Sequence, residues 1–377
     1  MALAEIAVRV LGLSIGARTE SLSPYGPRYL PNSPFVLAEE GNVVRGRINN
    51  VGFRDRPFVF DLPDSVRRIG FFGDSYVEAR QVEADSTFVN VFEDRANASG
   101  WRVDAAAFGI IGSGADQELF RFLQARREAR FDEVVYVFCR NDFLDGFIEK
   151  DKPASWPFLK RDSLGAYSFS GEYQEDRVHR GKAAIKELLA DLHFPGFLAY
   201  RLSVYKTARQ VRAGWLPITG DAAVMTLFQL GDGAPAEHQA ALEHWKEVVR
   251  FWKRACDADG MAFRILYIPW PEEVDDSLHA ASGRDSLPRW GVSSWVGAFC
   301  ASEGIPFHDP SQHFRAITGG RGKSLYWVHL NYEGHRALGD FFLRDRRAQV
   351  GPPGPGGPPE PAAAPERSLD GSAPGRG

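Results

Sequence analysis

Four short stretches of the chain carry side chains from which chemistry can be built. They are Gly73-Asp74-Ser75, the run Gly109-Ile110-Ile111-Gly112-Ser113-Gly114, Arg140-Asn141-Asp142, and His329-Leu330-Asn331 ahead of His335. A serine hydroxyl attacks a carbonyl at neutral pH only when a base takes its proton, and histidine titrates in the range that suits the task. Ser75 and His329 would supply that nucleophile and base. The tetrahedral adduct of acyl transfer carries a negative oxygen, and each preorganised N–H donor aimed at it is worth about 2.7–4 kcal/mol of barrier. The amides of Ser75 and Gly112 and the side-chain amide of Asn141 are candidate donors. Taken singly, each signal has a plainer explanation: Asp-Ser caps helices, Asn-Asp makes turns, and a lone histidine is more often structural. Their conjunction in one chain order favours acyl transfer.

The elements that must hold these residues alternate. RRIGFFG (67–73), WRVDAAAF (101–108), EVVYVFCR (133–140), MAFRILYIP (261–269) and IPFHD (305–309) are expected strands. The third is continuously apolar, as a strand covered on both faces should be. Helical patterns lie between them at 87–97, 115–127, 236–259 and 293–302, and a last one at 333–344. Strands alternating with helices imply βαβ units and a parallel sheet, whose ligands bind outside the carboxyl ends of the strands. The first three candidate blocks follow strands, and His329 precedes the last helix, so all four would face one crevice.

Three segments stand apart from that alternation. Residues 1–66 begin with an apolar stretch interrupted by Glu5 and Arg9, expected as a short amphipathic helix, and continue as a Pro- and Asn-rich wrapping extension. The α/β domain is expected over 67–346, with a helical insertion at about 145–235 that includes patterns at 182–192 and 197–212. Residues 351–377 hold 7 of the 38 Gly and 8 of the 24 Pro. That composition cannot offset its ordering entropy, so a disordered tail is expected over 347–377.

Composition excludes several functions. With 45 Lys+Arg against 49 Asp+Glu, the formal charge is −4, and no stretch concentrates enough basic residues to neutralise a phosphate backbone. No nucleic-acid partner is expected. Cys139, Cys256 and Cys300 are an odd, widely spaced set, against both a disulfide framework and a structural zinc site. A reducing, cytoplasmic setting is expected, with at most peripheral membrane attachment through the first helix, since no window approaches the roughly 18 apolar residues of a membrane span. Nothing in the sequence sets the oligomeric state.

Gly73-Asp74-Ser75, Gly112, Asn141 and His329 resemble the four signature blocks of the SGNH/GDSL hydrolase superfamily, and NNVGFRDRPF followed by RRIGFFGDSYVEARQV is similar to a bacterial subgroup of it. The resemblance spans about residues 48–345 and is weakest across the insertion. It implies a flavodoxin-like three-layer α/β/α sandwich with a central, mainly parallel sheet. It also implies a carboxylic ester hydrolase working through an acyl-enzyme on Ser75, with Gly112 and Asn141 as oxyanion donors, His329 as base, and no cofactor or metal. The substrate would be a small-molecule or glycan ester. An O-acyltransferase of the same fold, or a catalytically degenerate binding protein, is the alternative.

One departure from the family pattern is pronounced. An aspartate usually stands two or three residues before the base, whereas this chain has Tyr326 and Trp327 there. Losing such a carboxylate can cost on the order of 10⁴ in turnover where nothing replaces it. Three outcomes are open: a Ser-His dyad supported by a backbone carbonyl, an acid from elsewhere such as Asp309, or a silent site. The fourth letter of the GDSL block is also changed, to Tyr76, which is expected to matter little. Trp156, Trp270 and Trp327 are weighed as crevice-lining aromatics against an ordinary core role. Two further readings are weak. The glycines of GIIGSG do not follow the G-x-G-x-x-G order of a nucleotide cradle, and His308, Asp309 and His313 match no strong metal-ligand spacing.

Overall fold

The strands of the central sheet are short and apolar because helices cover both their faces. The computed structural model describes residues 25–145, 156–170, 236–281 and 289–350, apart from 27 and 164–166, together with isolated positions elsewhere. Seven strands are labelled here: β1 Pro34–Glu39, β2 Asn42–Arg47, β3 Arg67–Gly73, β4 Val103–Gly109, β5 Glu133–Cys139, β6 Ala262–Ile268 and β7 Phe307–His308. The helices are α1 Ser75–Glu78, α2 Phe88–Ala98, α3 Ala115–Glu128, α4 Ala236–Ala258, α5 Gly291–Ser302, α6 Ser311–Thr318 and α7 Tyr332–Val350.

The central sheet has the order β7-β6-β5-β3-β4, with every neighbouring pair parallel. Counted along the chain this is 2-1-3-4-5, the flavodoxin-like order, and its strand sequence reverses between β3 and β5. Side chains alternate across the sheet. Phe72, Phe108, Tyr136, Phe138 and Tyr267 enter a core closed by α3, α4 and α5. Phe71, Ala107, Val135, Val137 and Leu266 enter the opposite core, closed by α2, α6 and α7. The result is the expected three-layer α/β/α sandwich. In the first core Phe72 stacks on Phe108 at 4.7 Å, and Trp252 stacks on Phe122 at 4.8 Å. Truncating such a buried aromatic to alanine costs about 3–5 kcal/mol.

The sequence of the N-terminal extension shows little periodicity overall, yet it contains a hairpin. β1 and β2 pair antiparallel, with Glu39 opposite Asn42. Phe35, Leu37 and Val44 alternate inward, and Tyr25, Tyr29, Phe53 and Phe58 join the same core. The turn residues Glu40 and Gly41 have φ of 54° and 86°. Positive φ at both central positions suits the twist of a two-residue hairpin. Glycine adopts it freely, whereas a residue with a Cβ pays about 1–2 kcal/mol.

The insertion appears in part: Phe158–Arg161 and Tyr167–Ser170 form an antiparallel β hairpin. The helices expected at 182–192 and 197–212, the amphipathic N-terminal helix and the tail beyond Val350 lie outside the described residues. The last helix runs to Val350. Among the described residues, no helix is long and apolar enough to cross a membrane.

Candidate active site

Ser75 stands immediately beyond β3, where the chain turns sharply into α1. A Cβ on Gly73 would lie 2.5 Å from Val77 Cγ2 and 3.2 Å from Val137 Cβ, so only glycine lets the strand end fold so tightly. The Asp74 carboxylate accepts the Tyr76 N–H at 2.9 Å, capping the one-turn helix. Ala79, at φ 50°, ends it.

His329 reaches this serine from the loop before α7, with Nε2 2.8 Å from Ser75 Oγ. Its other ring nitrogen, Nδ1, is bonded to the Glu40 carboxylate. The second oxygen of Glu40 accepts the backbone N–H groups of Val328 and His329, at 2.9 and 3.0 Å. A carboxylate from the β1–β2 turn thus grips both the imidazole and the loop that carries it. Asn42, beside the turn, donates to Gln81 O at 2.8 Å and to the Tyr332 hydroxyl at 2.9 Å.

The position before His329 where an aspartate was missed is filled differently. Tyr326 is buried and donates its hydroxyl to Pro269 O at 2.7 Å, and Trp327 is exposed. Asp309 is engaged elsewhere, accepting from the Ser311 N–H at 2.9 Å at the start of α6. A backbone carbonyl does not take the imidazole proton either, because the Nδ1 partner is Glu40. Tyr76, expected to be a minor change, packs edge-on against the His329 ring, with centroids 4.9 Å apart.

The charges follow from this packing. Burial alone would depress the His329 pKa, but the hydrogen bond and charge of Glu40, with Asp74 behind, raise it above the usual 6.5. Burial works against the Glu40 carboxylate too. Its bonds to His329 and the two backbone amides nevertheless hold it below the usual carboxyl range.

Asn141 follows β5 across the topological switch. Its Nδ2 donates to Asp74 Oδ2 at 3.0 Å, and its Oδ1 accepts from the Cys139 thiol at 2.6 Å, so the amide is oriented from both sides. Burial raises the pKa of Asp74, and it pushes that of the Cys139 thiol well up, keeping it a donor. Before Asn141, the Arg140 guanidinium lies 3.8 Å over the Trp270 ring and pairs with Glu272 at 2.5 Å. Trp270 is therefore a core residue. Trp156 does approach the site: a Cβ on Gly112 would stand 3.9 Å from its ring.

Gly112 itself has φ 74°, a conformation that favours glycine. Buried Arg121 ties this loop to the end of β3, donating to Ser113 Oγ at 2.7 Å, Phe108 O at 3.0 Å and Gly73 O at 3.3 Å.

Asp74, Cys139 and Asp142 place a ligand atom each within 4.8 Å of one another. Each is committed to the hydrogen-bond network: Asp142 accepts the Cys139 N–H at 2.9 Å, and Asp74 accepts Asn141. The network orients Asn141, and a thiol held protonated is a poor metal ligand. His308 bonds Asp345 at 2.5 Å, and His313 stacks on Phe341. His335 is wholly buried between Gln81 and the Phe88 N–H, and burial lowers its pKa to about 3. That is a packing role.

No protein-family model matches the chain, and no curated protein matches it in sequence. Solved structures do. A lipolytic protein of the G-D-S-L family from Desulfitobacterium hafniense is 9% identical, with 74% of this chain and 98% of that one covered at a TM-score of 0.35. An alpha/beta hydrolase enzyme from the metagenome of Lake Arreo is 12% identical over 74% and 94%, at 0.40. A lipase/acylhydrolase from Enterococcus faecalis is 13% identical over 75% and 97%, at 0.36. By the order of its strands this chain is a flavodoxin-like three-layer α/β/α sandwich, with Ser75, Gly112 and Asn141 following strands β3, β4 and β5 and His329 in the loop before α7.

Proposed function

We propose that the protein is a serine-dependent hydrolase of carboxylic esters, acting through an acyl-enzyme on Ser75. The observation that carries this reading is the continuous chain Ser75 Oγ, His329 Nε2, His329 Nδ1, Glu40. It has the connectivity of a nucleophile, a base and an acid that orients the base.

In this reading His329 Nε2 takes the Ser75 proton as Oγ bonds to the ester carbonyl carbon. Glu40 stabilises the imidazolium, and its bond to Nδ1 leaves Nε2 as the acceptor. The negative oxygen is met by the Gly112 N–H and the Asn141 amide. The imidazolium then protonates the departing alcohol, leaving an ester on Ser75. A water molecule deprotonated by His329 attacks that ester, and as the Oγ–acyl bond breaks the imidazolium returns the proton to Ser75 Oγ and the acid is released. The substrate class is a small-molecule or glycan ester.

Treating the full chain with a fluorophosphonate and mapping the adduct tests this assignment. Ser75 is expected to be labelled, and Ser75→Ala and His329→Ala are each expected to abolish turnover of a short-chain aryl ester. Folded protein that leaves Ser75 unlabelled would overturn the mechanism.

A further inference from the structure

Glu78 ends α1, the same short helix that begins with Ser75. Its side chain is fully enclosed. One carboxylate oxygen, Oε2, accepts the backbone N–H of Ile111 at 2.5 Å, the amide directly before Gly112. The other, Oε1, accepts from Arg80 Nε at 2.5 Å and from the Tyr29 hydroxyl. Arg80 also donates to that hydroxyl, at 3.0 Å from Nε. The backbone at Val77 and Glu78 lies hard against the end of β4, where a Cβ on Gly109 would stand 2.2 Å from Glu78 N and 2.6 Å from Val77 C. A single buried carboxylate therefore bridges the nucleophile helix, the glycine loop and the N-terminal extension.

We propose that Glu78 is a positioning residue for the oxyanion pocket, fixing the Ile110–Gly112 turn so that the Gly112 N–H stays aimed at the reacting carbonyl. This rests on the acyl-transfer reading of Ser75. A buried carboxylate is costly unless its oxygens are fully engaged, and a charge-assisted bond to a backbone amide holds that amide more firmly than a neutral acceptor would. The benefit falls on preorganisation: oxyanion donors help only if they need not move when charge develops. Ile111 and Gly112 have consecutive amides, so restraining the first restricts the direction of the second. The Tyr29 and Arg80 contacts keep Oε2 turned toward the loop, so the extension acts on the pocket from behind.

Glu78→Gln in the full chain tests this. Glutamine offers one acceptor oxygen for the two that Glu78 uses, so it cannot serve both Ile111 and the Tyr29–Arg80 pair. The expected result is a kcat lowered about tenfold to a hundredfold with KM within about twofold. The acid limb of the pH profile should stay in place, because His329 is untouched, and the Ile111 amide should exchange with solvent faster. A kcat within about twofold of the parent in folded protein would overturn the proposal, as would an acid limb that moves with kcat. If Glu78→Gln does not fold, Tyr29→Phe removes one hydroxyl and should produce a smaller loss of the same kind; faster Ile111 exchange without a fall in kcat overturns the proposal there. The exchange measurement stands apart from turnover. A parent chain without Ser75-dependent activity defeats the acyl-transfer reading, whereas unchanged Ile111 exchange in Glu78→Gln defeats the positioning role whether or not any ester is cleaved.

Discussion

Glu40 and His329 are 289 residues apart in the chain, yet the carboxylate of one bonds the imidazole of the other and caps two amides of its loop. In the proposed mechanism the acid that orients the base would thus come from the N-terminal hairpin, on a turn residue at φ 54°. Strain of this kind persists where surrounding contacts over-determine it, and it concentrates at functional sites. Here the contacts are the two loop amides, the ring nitrogen and the Asn42 bonds beside the turn. If that carboxylate orients the base, Glu40→Gln should retain the fold and lower kcat on the order of 10²–10⁴-fold, since an amide can present its NH₂ group to Nδ1 and favour the wrong tautomer. Circular dichroism with steady-state kinetics on one ester checks this; undiminished turnover would assign the acid's role elsewhere.

The same contact sets a pH dependence. If His329 is the general base it must be neutral to act, so activity should fall as pH drops through the imidazole pKa. Glu40 stabilises the cation and raises that pKa above 6.5, which places the acid limb of kcat/KM higher than for an ordinary histidine. Removing the negative charge in Glu40→Gln takes away the stabilisation of the cation, so the residual activity of the variant should show its acid limb at lower pH. A limb that stays put or moves upward would show that another group is titrating.

Gly112 makes a separable prediction. Its φ of 74° disfavours any residue with a Cβ, while among the described residues a Cβ there would meet the Trp156 ring alone, in ordinary contact at 3.9 Å. Gly112→Ala should therefore destabilise the protein by only about 1–2 kcal/mol, from backbone strain. Turnover should fall at least about tenfold, because relieving that strain rotates the amide away from the developing charge. Thermal unfolding and kinetics measured side by side distinguish the two effects; a loss of stability without a loss of kcat would exclude Gly112 as a donor.

Much of this arrangement was legible in the sequence because it is local. The apolar runs at 133–140 and 261–269 announce strands buried on both faces, Thr87 caps α2 where the helical pattern begins, and the four blocks sit at strand ends or before the last helix. Glu40 was missed for a physical reason. Its hairpin does leave a trace, in the alternation of Phe35 and Leu37 and the Glu40-Gly41 turn ahead of Val43-Val44, but nothing local couples that turn to His329. The coupling arises from the extension packing against the core through Tyr29, Phe53 and Phe58. A search confined to the residues before His329 therefore stops at Tyr326 and Trp327, which the fold uses for packing and surface.

Gly109 tests how closely α1, which begins with Ser75, depends on its neighbouring strand. An alanine Cβ there would stand 2.2 Å from Glu78 N, 2.6 Å from Val77 C and 2.8 Å from Glu78 Cα. All three are backbone atoms, so no rotamer change relieves the contact, and α1 or the end of β4 must shift. Overpacking of this kind costs about 1–3 kcal/mol. A shift of α1 carries Ser75 with it, and a displacement near 1 Å at a reacting atom is worth about 10²-fold in rate. Gly109→Ala should thus lose activity out of proportion to stability. Gly297→Ala is the matched control: among the described residues its Cβ, in α5, would meet the side chain of Phe307, at 3.3 Å, and no backbone. It should cost little stability and leave kcat unchanged. Equal kinetic losses in the two variants would mean that the Gly109 contact does not position Ser75.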